Sequence, residues 1–328
     1  MLLPEFVQKI ITKESTHMST RDAFGFALEL FGEKDNRIVV IDGDLSRSTR
    51  TYHFATSYPE RFFNVGIAEQ NMISIGAGLA SCGKIPVVVT YATFLVGRGL
   101  DQIRNMVAYS DLNVKLIGTH AGLATGEDGG THQALEDIGV MRGIPQMKVF
   151  SPADAVETIL VLHYALTVKG PVYIRLSREK GRILHARDYQ FNPLKGEVLY
   201  DFSGKKIALV ATGTMVSRAL EVAGLLEAQG VSAGVINIHT IKPFDKELIQ
   251  KVAKEVELIV TIEDHNVIGG LGTTVADTLA SCKGSVPLQK IGVEDVFGQS
   301  GAQEKLYLKH QLTPDQILIK ILSTLELT

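Results

Sequence analysis

The sequence predicts an α/β protein of two layered domains, each built on a parallel-type sheet. Three observations carry this expectation. Short apolar runs without alternation recur along the chain, as in Ile38-Val39-Val40-Ile41 and Val87-Val88-Val89. Strands covered on both faces, as in parallel sheets, read in this way. Helical patterns separate most of these runs, and strand–helix alternation is the signature of α/β layers. The alternation then lapses over 181–204 and resumes, which divides the chain into a larger domain, 1–190, and a smaller one, 191–328. A length of 328 residues suits about two domains of ordinary size.

Residues 1–18 read as a leading helix, and Ser19-Thr20-Arg21-Asp22 as the start of a helix over Ala23 to Phe31. Strands are expected at Arg37 to Asp42, Phe62 to Val65, Ile85 to Thr90, Val114 to Gly118, Lys148 to Phe150 and Val172 to Leu176. Helices are expected over Ile73 to Ala80, Leu100 to Ser110 and Ala153 to Thr167. Residues 181–204 read as the connection between domains. Beyond them, strands at Lys206 to Gly213, Ala233 to Ile238, Leu258 to Glu263 and Leu288 to Val293, with a helix over Val216 to Gln229, form the second domain. In such sheets a ligand is expected beyond the carboxyl ends of the strands.

Composition narrows the class. The chain is 45% hydrophobic and 21% charged, which is ordinary for a water-soluble globular protein. A formal net charge of −3 gives no reason to expect nucleic acid. No apolar run reaches the roughly 20 residues of a spanning helix, so no membrane is expected. The amino terminus carries no basic region followed by an apolar core, which points to the cytoplasm rather than to secretion. Cys82 and Cys282 are then expected as buried thiols rather than as a distant disulfide.

Chemistry-bearing residues fall just past the expected strand ends. In Gly66-Ile67-Ala68-Glu69-Gln70-Asn71-Met72, Glu69 stands where a buried strand hands over to a helix. A carboxylate there is costly to desolvate without a partner, and it can hold a proton and pass it on. It also reads as an acid favoured in a first helical turn. The run Asp42 to Arg50 is a polar loop whose Arg47 and Arg50 suit a phosphate, or simply face solvent. Tyr91 and Phe94 are core residues or a platform for a flat ring. Gly118 to Gln133 holds His120, Asp128 and His132 among five glycines, and reads as a long functional loop. Its histidines have no recognised zinc spacing; they suit hydroxyl and phosphate groups. Arg178 follows the last strand of the first domain. Gly269-Gly270-Leu271-Gly272 before a helix is a weak phosphate-cradle signal.

Gly-Ile-Ala-Glu-Gln-Asn-Met resembles the cofactor-glutamate motif of transketolases and related thiamine diphosphate enzymes. The resemblance implies that Glu69 hydrogen-bonds N1′ of the cofactor's aminopyrimidine and acts as the catalytic proton relay. Tyr91 and Phe94 match that family's aromatics for the pyrimidine, whereas Gly97 stands where a third aromatic is usual. The pattern Thr119-His120, Gly126-Glu127-Asp128-Gly129, Thr131-His132-Gln133 resembles the family's substrate loop. It implies that His120 contacts the sugar near its phosphate, that Asp128 holds the C2 hydroxyl, and that His132 meets the reacting carbonyl or the C1 hydroxyl. Leu176-Ser177-Arg178 matches a phosphate arginine, and Arg50, more closely than Arg47, a second one.

The resemblance spans about 19 to 328, yet it omits one part. The family holds Mg²⁺ and the diphosphate with Gly-Asp-Gly and downstream asparagines, oxygen ligands that a hard cation requires. Asp42-Gly43-Asp44 has a different order and no such asparagines follow. The chain thus resembles the C-terminal subunit of a split transketolase, with a pyrimidine-binding domain followed by a smaller transketolase C-terminal domain. This implies a separate N-terminal subunit carrying the diphosphate domain, self-association through pyrimidine domains, and an α2β2 assembly. It implies transfer of a two-carbon ketol unit from a ketose phosphate to an aldose phosphate. The alternatives are the β subunit of a 2-oxo-acid dehydrogenase, a fragment similar to 1-deoxyxylulose-5-phosphate synthase, and a non-catalytic subunit of the same fold. The synthase tends to carry Asp-Arg where this chain has Thr119-His120.

Overall fold

The computed structural model describes residues 3–282 and 286–327. Its strands, in chain order, are β1 (His17–Ser19), β2 (Ile38–Asp42), β3 (Phe62–Asn64), β4 (Ile85–Tyr91), β5 (Lys115–Thr119), β6 (Lys148–Phe150), β7 (Val172–Arg175), β8 (Lys180–Arg182), β9 (Glu197–Tyr200), β10 (Ile207–Ala211), β11 (Ala233–Asn237), β12 (Thr240–Lys242), β13 (Leu258–Asn266) and β14 (Leu288–Val293). A seven-stranded sheet has the order β12-β6-β7-β5-β4-β2-β3, and a five-stranded sheet the order β14-β13-β10-β11-β9. Pairing is parallel throughout both, except for the end strands β12 and β9. The α/β layered expectation therefore holds for both halves.

Side chains on successive strand positions point to opposite faces, and the cores follow this rule. Val39, Ile41 and Val88 enter one core, while Ile38, Val40, Val87 and Val89 enter another on the opposite face. The first of these cores continues into the second sheet through Val210 and Ile236. Helices cover both faces. Ser19 caps the helix Thr20–Lys34, its Oγ accepting from Asp22 N at 3.0 Å. Asp154 caps Ala155–Thr167 in the same way.

Several local expectations are corrected. The leading helix spans Leu3–Ile10 only, and residues 1 and 2 lie outside the described residues. The strand before Glu69 is not buried: β3 is the edge of its sheet, and Phe63 is 40% exposed. The connecting stretch carries two short strands. One of them, β8, pairs antiparallel with β1, and the other, β9, edges the second sheet. The helix expected from Leu100 begins at Ala92, directly after β4, and passes into a π-helical turn at Ile103–Ala108. Cys82 is exposed and Cys282 half-buried, and both are free thiols, so neither expectation of burial holds. Among the described residues, no helix is long and apolar enough to cross a membrane.

Candidate active site

The register of the first sheet aligns its strand ends. Tyr91 pairs with Thr119, and Gly118 pairs with Arg175. Residues just past β4, β5 and β7 are thereby delivered to one edge. Tyr91 closes β4, and Phe94 lies in the first turn of the helix Ala92–Gln102. Their rings are parallel, 5.5 Å apart at 6°. The His120 ring stacks on Tyr91 at 3.8 Å, and His132 stands edge-on to Tyr91 and Phe94 at 6.2 and 5.1 Å. Offset-parallel and edge-on contacts are those that aromatic quadrupoles favour.

Glu69 opens the helix Glu69–Ser81 and is 4% exposed. It is thus both a first-turn acid and a buried one, so its two readings are compatible. Its Oε1 accepts from Arg98 Nη1 at 2.6 Å. The Arg98 guanidinium also lies 4.0 Å from the Phe94 ring centre. One exposed cation therefore ties the buried carboxylate to the aromatic shelf. Beside it, a Cβ on Gly97 would meet nothing within 4 Å, so the position of the absent third aromatic is open space.

Cations gather on the other side of His120. Arg21 Nη1 lies 3.2 Å from His120 Nε2. Arginine only donates, so Nε2 is the acceptor and the ring proton sits on Nδ1, facing Thr119 Oγ1 at 3.0 Å. Burial, and then the charges of Arg21, Arg178 and Arg50, lower the His120 pKa to about 2. The imidazole is therefore neutral. Arg50 Nε donates to Asp22 Oδ1 at 2.5 Å, and Arg21 lies 3.7 Å from the same oxygen. Arg47 is exposed and touches this group only through its carbonyl, which accepts from Arg50 Nη1. Arg178 Nη1 donates to Thr125 O at 2.9 Å and lies 3.5 Å from Asp128 Oδ2. The buried Arg21 Nε has no partner, so this cluster carries an unused donor.

Asp42 supports the loop below. It is fully buried and accepts from Leu45 N, Thr49 Oγ1 and Thr51 Oγ1 at 2.7–2.9 Å. Its oxygens are taken by protein donors, so Asp42-Gly43-Asp44 shapes the chain. Among the described residues, the one group of three ligand-type side chains close enough to share an ion lies elsewhere, at Glu157, His185 and Glu197.

The glycine loop is an anchored segment, buried up to Gly126 and exposed at Glu127, Asp128 and Thr131, with a 3-10 stretch at Leu123–Asp128. The second half of the chain holds it. Leu123 N donates to Asp264 Oδ1 at 3.0 Å, and Tyr307 Oη donates to Asp264 Oδ2 at 3.0 Å. Gln133 Nε2 donates to Gln299 O, and Ser300 Oγ to Glu127 O. Gly122 has φ 79°, and a Cβ there would lie 2.0 Å from Asp264 Oδ2, so only glycine fits. The neighbouring Glu263 accepts from Leu271 N and Gly272 N at 2.7 and 2.8 Å. That takes up the helix start at the Gly269-Gly270-Leu271-Gly272 turn, which is therefore not a phosphate cradle.

The structure thus brings Glu69, Tyr91, Phe94, His120 and His132 together, with Arg50, Arg178 and Asp128 along one side. Sequence reasoning missed Arg21, Arg98 and Asp264. Arg21 sits within a helix-start motif and was read as part of it. Arg98 lies four residues past Phe94, the spacing that puts two helical side chains on one face. Asp264 has no local signal, because its partner is 141 residues away.

Known proteins are similar to this chain in sequence and fold. The transketolase pyrimidine binding domain matches residues 16–183, and the transketolase C-terminal domain matches residues 196–317. A Methanocaldococcus jannaschii protein named as a transketolase C-terminal section is 41% identical over 319 residues, covering 97% of this chain and 99% of that protein. A 6-deoxy-6-sulfo-D-fructose transketolase subunit from a Clostridium species is 39% identical, covering 91% of this chain and 92% of that protein. Among solved structures, a split gene transketolase described as an inactive β4 tetramer superposes with a TM-score of 0.84 at 43% identity, covering 93% of this chain and 97% of that one.

Proposed function

This chain belongs to the transketolase family, and we propose that it is one subunit of a split transketolase. It would work with a separate chain that carries the diphosphate and Mg²⁺ ligands. The observation that carries the reading is the juxtaposition of buried Glu69, the Tyr91–Phe94 shelf and the arginine-flanked His120. The division into domains near residue 190 belongs to the same proposal.

The residues fit half of a thiamine diphosphate site. A parallel aromatic pair with open space at Gly97 suits a pyrimidine ring, and a buried carboxylate suits its N1′. When bound, the cofactor supplies the nucleophilic carbon that carries the two-carbon unit. The chain's own residues do the rest of their half. Glu69 holds the proton at N1′, released from Arg98. Arg21, Arg50 and Arg178 take the terminal anion of the sugar, and the unused Arg21 Nε is one ready donor. Neutral His120 offers Nε2 as an acceptor for a sugar hydroxyl once Arg21 turns to the anion. Asp128 accepts from the C2 hydroxyl, and His132 donates to the reacting carbonyl. The same arginines suit a sulfonate, the anion in the name of the clostridial relative. His120 favours ketol transfer over the synthase-like reading. The inactive β4 assembly of the split-gene relative supports a chain that needs a partner; we take α2β2 as the active form.

The test is ketol transfer from xylulose 5-phosphate to ribose 5-phosphate, with thiamine diphosphate and Mg²⁺. The chain is assayed alone and mixed with its N-terminal subunit. Activity confined to the mixture, and lost in Glu69→Ala, is expected. Activity of the chain alone overturns the partner requirement. Survival of activity in Glu69→Ala overturns the proton relay. Silence of a verified complex moves the assignment to a 2-oxo-acid decarboxylase or a non-catalytic subunit.

A further inference from the structure

A second polar cluster, sharing no residue with the cleft, is buried where the two halves meet. Glu157 comes from the first turn of the helix Ala155–Thr167, His185 from the connection, Glu197 from β9, and His239 from just past β11. One ligand atom each from Glu157, His185 and Glu197 lie within 4.8 Å of one another. His185 Nε2 is 2.7 Å from Glu197 Oε2, and His185 Nδ1 is 3.0 Å from Asp154 Oδ2.

His239 provides an independent observation. It is fully buried, and its Nδ1 lies 2.7 Å from Thr240 Oγ1. That hydroxyl already donates to Pro193 O at 2.8 Å, so it accepts from Nδ1–H. The tautomer is thereby fixed, and Nε2 is left as a bare lone pair. Nε2 has no hydrogen-bond partner and lies 4.0 Å from Glu157 Oε1. A lone pair facing a carboxylate with no donor between them is unfavourable in a buried site. The buried Asn237 Oδ1 is also without a partner, while its Nδ2 donates to Glu157 Oε1 at 2.9 Å. Two buried acceptors, His239 Nε2 and Asn237 Oδ1, are thus without a donor, which is what a bound cation corrects. An imidazole whose far nitrogen is fixed by an outer hydrogen bond is the usual form of a metal-binding histidine.

We propose that Glu157, His185 and Glu197, joined by His239 as a fourth ligand that a small side-chain shift brings in from beside Glu157, form a site for a transition-metal dication of the zinc class. Two imidazoles and two carboxylates suit such an ion, whereas Mg²⁺ and Ca²⁺ prefer oxygen-only shells. The ion would bind the connection to both halves, so it is a structural centre distinct from the catalytic Mg²⁺.

The experiment uses the full chain, stripped with a chelator and titrated with Co²⁺. One equivalent per chain is expected, with the visible absorption of a four-coordinate ion and a raised melting temperature, both transferred to Zn²⁺ by competition. His185→Gln and His239→Gln should each weaken Co²⁺ by more than the roughly 10–100-fold typical of outer-shell changes. Absence of saturable binding overturns the proposal, as does binding that both variants leave unchanged. Should either variant fail to fold, X-ray absorption of the Co²⁺-loaded parent decides: two imidazoles in the shell support the site, and a shell of oxygens alone refutes it.

Discussion

Replacing His120 by glutamine tests the charge state at the centre of the cleft. In the parent, burial and three nearby arginines lower the folded pKa to about 2 from an ordinary 6.5. Between these values the unfolded chain binds a proton that the folded chain refuses, so stability falls as pH drops through 6.5 toward 2. At pH 4.5, two units below the unfolded value, the loss from this one group is about 2.7 kcal/mol relative to neutral pH. That corresponds to roughly 4 °C in melting temperature if the whole chain melts as one unit, and about twice that if the first domain melts alone. Glutamine can accept from Arg21 and donate to Thr119 without titrating. Melting curves of parent and His120→Gln, taken at pH 7.5 and 4.5, should therefore differ by an amount that shifts roughly 4–8 °C in favour of the variant at the lower pH. Carboxylates titrate in both proteins and cancel in this comparison. A difference between the two proteins that stays constant across the range refutes a neutral, buried His120.

Arg98→Met removes the cation held by Glu69 and leaves a buried carboxylate without it, at a cost of about 1–2 kcal/mol in urea unfolding; the double variant Glu69→Gln/Arg98→Met should recover part of this, and simple additivity would sink the coupling. Asp137→Asn breaks a buried pair in which Arg175 Nε lies 3.0 Å from Asp137 Oδ2 and Tyr173 Oη donates to the same oxygen at 2.6 Å. The expected loss is about 3–5 kcal/mol by urea midpoint, and a loss below about 1 kcal/mol contradicts the buried pairing. Gly25→Ala places a Cβ 2.4 Å from Arg50 Cβ and 2.8 Å from its carbonyl oxygen, so Arg50 must move. With the reconstituted enzyme, the KM for a phosphorylated sugar should rise several-fold with kcat nearly unchanged, and an unaltered KM removes Arg50 from the anion site.

The strands of both sheets were legible because most are covered on both faces, and continuous apolar runs have few other uses. The candidate residues come together because parallel strands end at one edge, while the roles expected of them rest on the family resemblance. The failures share a cause as well. In β3, Phe62 and Phe63 look like core residues in a string, but the strand pairs on one side only and Phe63 faces outward. The helix at Ala92 gives no starting signal, since its cap residue Tyr91 makes no side-chain capping bond. Lys180-Gly181-Arg182 has no strand pattern, because β8 pairs only with β1, and its Lys180 and Arg182 are exposed. Asp264 and Arg21 act through partners 141 and 99 residues away, a distance at which no local pattern can report contact.

The long-range partners also assign work to the second half of the chain. Catalytic resemblance stops at Arg178, and nothing in the later sequence suggests a part in the chemistry. Yet the loop that carries His132 and Asp128 has no regular ladder to hold it, only an isolated bridge between Ala121 and Ala134 and its 3-10 stretch. Asp264, Gln299 and Ser300 of the second half anchor it, alongside Arg178 and Arg175 of the first, which donate to Thr125 O and Ala134 O. Asp264 is well placed for this: 3% exposed, with its own carbonyl accepting from Arg175 Nη2 at 2.7 Å. The same residue therefore joins the loop, the second sheet and the Arg175–Asp137 pair at the end of β7. Loosening that junction would leave the shelf of Tyr91 and Phe94 in place, because β4 and its helix do not depend on it. It would release His132 and Asp128. On the proposed reading, the second half thus acts on the reacting end of the sugar by holding the loop that carries His132 and Asp128.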